Sequence, residues 1–409
     1  MPRPHRAAVI EDAIRARVAR ELTERGWRHK IIAYTGYGSA GFLRVLARVV
    51  FTETPEESAA ADVAATSEEL EHADEETRGW RAFVTAPAVE APVTIRLGDR
   101  VVETRTDRSG LVDLTVRGHG LAPGWHRLTL ESPRAEPTQA AVHVISSTQR
   151  FGLVSDIDDT ILTTNLPRPL VAFWNTFVRS EAERIPVPGM ATLYERFIAE
   201  HAGDIDGAGP PADADPTADV DFDPTDGEGD ETAAEVPVIY VSTGAWNTAP
   251  HLMRFIRRHG FPPGPLLLTD WGPTNSGWFR SGPEHKRAQL RRIARELPHL
   301  RWVLVGDTGQ KDPVLYRDFA EDHPELVRAI ALRQLTYKEQ VISHGLPVLP
   351  PSPTRTAKGL AQTPVVEAPD GFELARLLDA VLADDVDPGD RHRDLAWFVE
   401  SDPPVGDDH

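Results

Sequence analysis

Three aspartates close a short apolar run. In Phe151-Gly-Leu-Val-Ser-Asp-Ile-Asp-Asp-Thr160 a stretch without helical period ends in Asp156, Asp158 and Asp159. Such a run reads as a buried strand, and a buried strand interior does not take three acids. They belong just beyond its carboxyl end, where open α/β sheets bind their ligands. Carboxylates at i and i+2, with the residue between them facing the other way, can share one hard cation and still do separate work. Asp156 then suits a nucleophile and Asp158 a general acid and base.

Two other strand ends carry polar clusters. Ile239-Tyr-Val-Ser-Thr-Gly-Ala-Trp246 ends in Ser242, Thr243 and Gly244, able to offer a hydroxyl and backbone N–H groups to a phosphate, although Ser-Thr-Gly also makes ordinary turns. Leu304-Val-Gly-Asp-Thr-Gly-Gln-Lys-Asp312 carries Asp307 and Asp312. Beside Asp156 they would complete an oxygen shell for Mg²⁺; without a cation, Asp307 would cap its own loop by accepting backbone N–H groups. Only five of the 44 basic residues are lysines, so a lysine retained against that bias stands out. Lys286 opens a helical run, and an ammonium there would neutralise an aspartate nucleophile and an incoming phosphate together. Its plainer reading is a surface lysine at a helix start.

These groups need a scaffold. From Phe151 the pattern alternates strands with helical stretches, predicting an α/β fold with a parallel sheet; the strands are Phe151 to Ser155, Val238 to Ser242, Leu266 to Thr269, Trp302 to Gly306 and Val327 to Leu332. Before it, short β-branched segments between Leu43 and Ile145, separated by turn signals such as Asp107-Arg-Ser-Gly110, predict an all-β sandwich; Tyr34 to Gly38 is expected as a turn. This half holds no catalytic cluster and reads as a scaffold or targeting module. Domains follow as 1–30, an N-terminal helix; 31–147, the β-sandwich module; 148–345, the catalytic domain with an acidic insertion of disorder-like composition at 203–235; and 346–409, a tail with a helix near 371–384.

Composition excludes several functions. The net charge of -19 argues against nucleic acid as partner and gives no general attraction to an anionic membrane. With no cysteine, thiolate metal sites and cysteine nucleophiles are excluded. The N-terminus has no apolar leader and no long apolar run follows, so the expected location is cytoplasmic.

VSDIDDTI, YVSTGAWN, GPLLLTDWG, EHK and GDTGQKDP fall in order and resemble the motifs of haloacid-dehalogenase phosphatases, more narrowly the phosphatidate phosphatase catalytic domain first associated with yeast actin patches. The resemblance covers roughly Gln149 to Leu335. Relatives often have serine-proline-tryptophan where this chain has Gly244-Ala245-Trp246, and arginine-aspartate where it has Thr269-Asp270. The resemblance implies a Rossmann-like sheet and a Mg²⁺-dependent phosphatase working through an aspartyl-phosphate on Asp156. It implies catalytic Asp156, Asp158 and Lys286, and substrate contacts from Ser242, Thr243, Gly244 and Thr160, the last also able to brace its loop. Metal ligands would be Asp156, the backbone carbonyl of Asp158, Asp307 and Asp312, with Asp312 alternatively orienting Lys286. The substrate would be a phosphomonoester, with phosphatidate first and a soluble ester as the alternative; a binding protein with a vestigial catalytic domain is the third reading. Leu170, Phe173, Trp174 and Phe177, at helical spacing after the first motif, either pack a cap or meet a lipid, giving peripheral membrane contact.

Overall fold

The computed structural model describes residues 17, 21–22, 24, 26–52, 86–163, 185–202, 236–269, 282–309, 311–336 and 363–383. Most of the expected N-terminal helix, residues 53–85 of the expected β-module, the acidic insertion and the aromatic stripe at 170–177 lie outside the described residues.

Among the described residues seven strands precede Asp156: β1 (Arg28–Ser39), β2 (Phe42–Thr52), β3 (Pro92–Leu97), β4 (Arg100–Arg105), β5 (Leu111–Arg117), β6 (Gly124–Glu131) and β7 (Thr138–Ile145). They form one continuous sheet in the order β4-β3-β6-β7-β1-β2-β5, where the sequence pattern suggested two packed sheets. Strand twist lets one sheet curl toward itself. Its edges meet where Arg100 of β4 donates to the carbonyls of Arg117, at 2.9 Å, and Gly118 at the end of β5. The module is therefore nearly barrel-like.

The turn expected at Tyr34 to Gly38 is instead the body of β1, interrupted by a bulge between Tyr34 and Tyr37. The glycines there serve close approach rather than reversal. A Cβ on Gly36 would lie 2.4 Å from the carbonyl oxygen of Arg44, on the neighbouring strand β2, and a strand glycine often marks such contact. β2 is buried on both faces: Leu43, Val45, Ala47 and Val49 fill the module, while Phe42 and Leu46 join the core of the second half.

That second half runs β8 (Phe151–Ser155), β9 (Leu162–Thr163), β10 (Ile185–Pro186), α1 (Met190–His201), β11 (Val238–Ala245), α2 (Ala249–Arg258), β12 (Leu266–Thr269), α3 (Gly282–Glu296), β13 (Arg301–Asp307), α4 (Asp312–Asp322), β14 (Val327–Arg333), β15 (Val365–Ala368) and α5 (Gly371–Ala383). Apart from the small β9–β10 pair, the strands form a six-stranded sheet in the order β12-β11-β8-β13-β14-β15, parallel throughout. From β8 the chain builds outward to β12, then crosses back to β13 and builds the other way, so the reversal of strand order falls between β8 and β13. Ligands of open parallel sheets bind at such a reversal. β15 comes from the segment expected as a tail. Its burial alternates on a half-exposed edge, and four residues carry too little periodicity to be read as a strand in sequence. α5 buries Leu374, Ala375, Leu378 and Leu382, one face at helical spacing, against α1 and β14.

One buried histidine predicts acid sensitivity. His143 of β7 stacks on Trp125 with ring centroids 4.6 Å apart, and burial, reinforced by nearby His126, lowers its pKa from 6.5 to about 4. In that interval the unfolded chain binds the proton and the folded one does not, so stability rises with pH there. The contribution is complete above pH 6.5 and is lost as pH falls toward 4, amounting to about 3 kcal/mol at most. The melting temperature is expected to drop on acidification through this window, and His143→Phe to flatten the drop. An unaltered pH profile in His143→Phe would remove this histidine from the account.

Candidate active site

The β8–β13 ladder continues one step beyond β8, with the Asp156 N–H donating to Val305 O at 2.9 Å. The chain then turns tightly: the Ile161 N–H donates to Ile157 O at 3.0 Å, and both isoleucines are fully buried. The alternation of acid and isoleucine thus anchors the loop in the core and leaves the acids at the sheet's end. Asp159 adopts a left-handed φ of 59°, an unfavourable conformation for a residue with a Cβ. Arg333, at the end of β14, holds the Asp159 carbonyl through Nη1 at 3.0 Å. Ser155 Oγ donates to the Asp156 carbonyl at 2.6 Å and is bonded to the Tyr194 hydroxyl of α1. Arg333 and Tyr194 were not legible in the sequence: one is among many arginines, the other a member of an amphipathic helix.

Asp156, Asp307 and Asp312 converge, one carboxylate oxygen from each lying within 4.8 Å of the other two. Lys286 reaches them from α3, its Nζ 2.8 Å from Asp156 Oδ1 and 2.7 Å from Asp312 Oδ1. All four are buried. Asp312 comes close because residue 306 is glycine: a Cβ there would lie 2.8 Å from Asp312 Oδ2 and 2.7 Å from the Tyr316 ring. Asp307 Oδ1 accepts the Gly309 N–H at 2.6 Å, so the loop-capping role is real, yet it uses only one oxygen. Among the described residues, the Oδ2 atoms of Asp156, Asp307 and Asp312 are all buried without a hydrogen-bond partner.

Three carboxylates thus face one ammonium. Burial would lower the Lys286 pKa, but Asp156 and Asp312 outweigh it and raise it, so the lysine stays charged. Burial pushes the Asp156 and Asp307 carboxyls well above the usual range, with Lys286 opposing and the neighbouring acids reinforcing the rise. Uncompensated buried charge costs several kcal/mol per ion, and a cation among these oxygens removes that cost. The buried acidic triad can hold a metal ion, and its all-oxygen donor set suits a hard one.

Asp158 does not join this cluster through its side chain. Its Oδ2 accepts Ser242 Oγ at 2.9 Å, placing a carboxylate beside the second strand end. Ser242 Oγ also accepts the Gly244 N–H at 2.9 Å, so that amide is engaged within its loop. Thr243 touches the start of the lysine helix, since a Cβ on Gly282 would lie 2.8 Å from Thr243 Cγ2. Thr269 Oγ1 braces the loop by donating to the carbonyls of Thr243 at 2.9 Å and Gly244 at 3.1 Å. Thr160 is fully buried and its Oγ1 has no hydrogen-bond partner among the described residues. His285, next to Lys286, bonds Leu267 O at 3.1 Å and ties α3 to β12.

The β-module touches this apparatus through side chains of β1 and β5. Tyr34 of β1 stacks on Trp246 at 4.9 Å, and its hydroxyl donates to the Trp246 carbonyl at 3.3 Å, directly after the Ser242 loop. Arg44 forms a fork with Asp113, both contacts 2.6 Å, and donates to the Tyr37 hydroxyl at 2.9 Å. That hydroxyl donates in turn to Glu296, at the end of the helix that carries Lys286. The fork fixes Arg44 and Asp113 within the module, and Asp113 also accepts from Arg292 of α3 at 3.3 Å, so polar contacts from β1 and β5 tie the module to α3.

Residues 151–334 match the family model for the catalytic domain of phosphatidate phosphatase APP1. This part of the chain is similar to the catalytic domain of that phosphatase family. Phosphatidate phosphatase APP1 of Saccharomyces cerevisiae is 27% identical over 218 residues, covering 52% of this chain and 31% of the yeast protein; the chain thus spans less than a third of that relative's length. Among solved structures, a carbohydrate acetylesterase from Xanthomonas citri is 10% identical with a TM-score of 0.21, over 74% of this chain and 66% of the other, a likeness too slight to carry an argument. Among the described residues no helix is long and apolar enough to cross a membrane.

Proposed function

We propose that this protein is a Mg²⁺-dependent phosphatase that hydrolyses a phosphomonoester, phosphatidate first, through an aspartyl-phosphate on Asp156. The observation that carries this reading is the buried meeting of Asp156, Asp307 and Asp312 around Lys286, with three carboxylate oxygens left without a hydrogen-bond partner among the described residues. The parallel strand order and the acids at its reversal are in keeping with a haloacid-dehalogenase-like sheet of Rossmann type. The match to the phosphatidate phosphatase catalytic domain supports the lipid substrate.

In this reading Asp156 forms a bond to phosphorus while the ester oxygen departs, and Asp158 gives that oxygen its proton. Asp158 then takes a proton from water, whose oxygen attacks phosphorus. The bond to Asp156 breaks, releasing inorganic phosphate and restoring the carboxylate. Lys286 balances charge on Asp156 and the phosphoryl oxygens, and Ser242 and Thr243 orient them. Mg²⁺ would be held by Asp156, Asp307, Asp312 and the Asp158 carbonyl, offsetting repulsion between carboxylate and phosphate.

The test is a panel of short-chain phosphatidate, glycerol 3-phosphate and p-nitrophenyl phosphate offered to the purified chain, with EDTA and then with Mg²⁺. Turnover is expected to vanish on chelation, return with Mg²⁺ and favour phosphatidate. Calorimetry should show Mg²⁺ binding that Asp307→Asn removes. Turnover surviving exhaustive chelation would sink the metal assignment, and preference for a soluble ester would move the substrate to that class.

A further inference from the structure

A cleft of about 820 Å³ lies where the β-module meets the end of α3. Phe42, Val102, Leu114 and Val116 give it an apolar wall from β2, β4 and β5. Three arginines stand around that wall: Arg100 and Arg117 from the two facing edge strands, and Arg295 from the last turn of α3. Arg100 is fixed by its bonds to the carbonyls of Arg117 and Gly118. Arg117 and Arg295 are exposed, and neither has an acidic partner among the described residues. Glu296, the acid in the lining, is already committed: it accepts the Tyr37 hydroxyl and pairs with Arg292 at 3.3 Å.

In a chain of net charge -19, this concavity reverses the local sign, and charged clefts with low-dielectric walls concentrate the opposite charge. Its volume falls in the range of small-molecule sites, and such sites favour the mouths of β-barrels and the seams between units. Both descriptions fit this position. Lys286 and Glu296 stand at opposite ends of α3, roughly 15 Å apart at 1.5 Å per residue, so the cleft is separate from the catalytic aspartates.

We propose that this cleft is a second anion site, which takes an organic phosphate carrying an apolar portion. Guanidinium groups bind phosphate as planar forks, and the wall of Phe42, Val102, Leu114 and Val116 receives the hydrocarbon. An inorganic anion would leave that wall wet, and a neutral ligand would leave the arginines unanswered. A phospholipid and a soluble phosphate ester share this chemistry, and the probes below separate them. The site stands whichever phosphomonoester the catalytic centre takes.

The full chain is titrated calorimetrically with dihexanoyl phosphatidylglycerol below its micelle-forming concentration, with glycerophosphoglycerol, and with inorganic phosphate. The two organic probes are phosphodiesters, outside the proposed catalytic reaction. The lipid is expected to bind more tightly than its headgroup, and Arg117→Gln with Arg295→Gln to weaken both by at least about tenfold, as loss of charge-assisted hydrogen bonds implies. Leu114→Ser should weaken the lipid and spare the headgroup. Phosphatase activity on a soluble ester should stay within about twofold in the double variant, as for surface changes remote from the chemistry; Arg295→Gln alone replaces it should the pair fail to fold. Equal affinity for lipid and headgroup would assign the site to a soluble phosphate ester and overturn the role of the apolar wall. Absence of binding by any probe, or binding unmoved by the arginine substitutions, would overturn the site itself.

Discussion

Asp156→Asn is expected to lower turnover at least about a thousandfold, the scale of removing a nucleophile from a site whose members act as a unit, while leaving the protein folded. A neutral amide at this position cannot form an acyl phosphate. The fold should survive because the substitution removes one of three buried carboxylates that share a single ammonium, and Lys286 keeps Asp312 at 2.7 Å. In chelator the variant should melt no lower than the parent, and higher if relief of buried charge outweighs the lost contact with Lys286. Acid-quenched reactions with a labelled substrate should trap a phosphoenzyme in the parent and none in the variant. Full turnover in Asp156→Asn, against any substrate the parent hydrolyses, would end the covalent mechanism.

Lys286→Met carries the other large effect, on stability and activity together. Methionine keeps much of the side chain's volume but leaves Asp156 and Asp312 buried without the cation both of them contact. Breaking a buried ion pair by removing one partner costs about 3–5 kcal/mol, so the variant should melt well below the parent in chelator. Mg²⁺ should recover part of that loss by supplying positive charge to the same oxygens. Adding Asp312→Asn should restore stability further without restoring turnover, because the charge facing the phosphoryl oxygens is still missing. A single variant as stable as the parent in chelator would mean that water, not Lys286, answers these carboxylates.

The acids at the end of β8 were legible because carboxylates directly after a five-residue apolar strand make poor core and good ligands, and the same logic found Ser242 and Asp307 at later strand ends. Lys286 stood out as one of only five lysines, and the structure puts it against Asp156 and Asp312. These are local signals: strand burial, polarity at a strand end, residue choice. The chain order of the parallel strands followed from the same alternation.

What the sequence could not decide is which groups meet. Asp307 stands beside Asp156 only because β13 pairs with β8, a choice made by packing of whole strands and not by the period of either one. Asp158 turned to Ser242 and away from the acidic triad, since side chains two apart on a tight turn face different neighbours. Arg333 came to hold the strained Asp159 because β14 lies next to β13. The seven N-terminal strands closed into one curled sheet, with glycines of β1 serving contact instead of a turn, because twist and curl accumulate over a whole sheet. Residues far apart in the chain thereby came to share the cleft of Arg100, Arg117 and Arg295. Local chemistry is written in neighbouring residues, whereas register, closure and the seam between two units depend on long-range contacts that no short window contains.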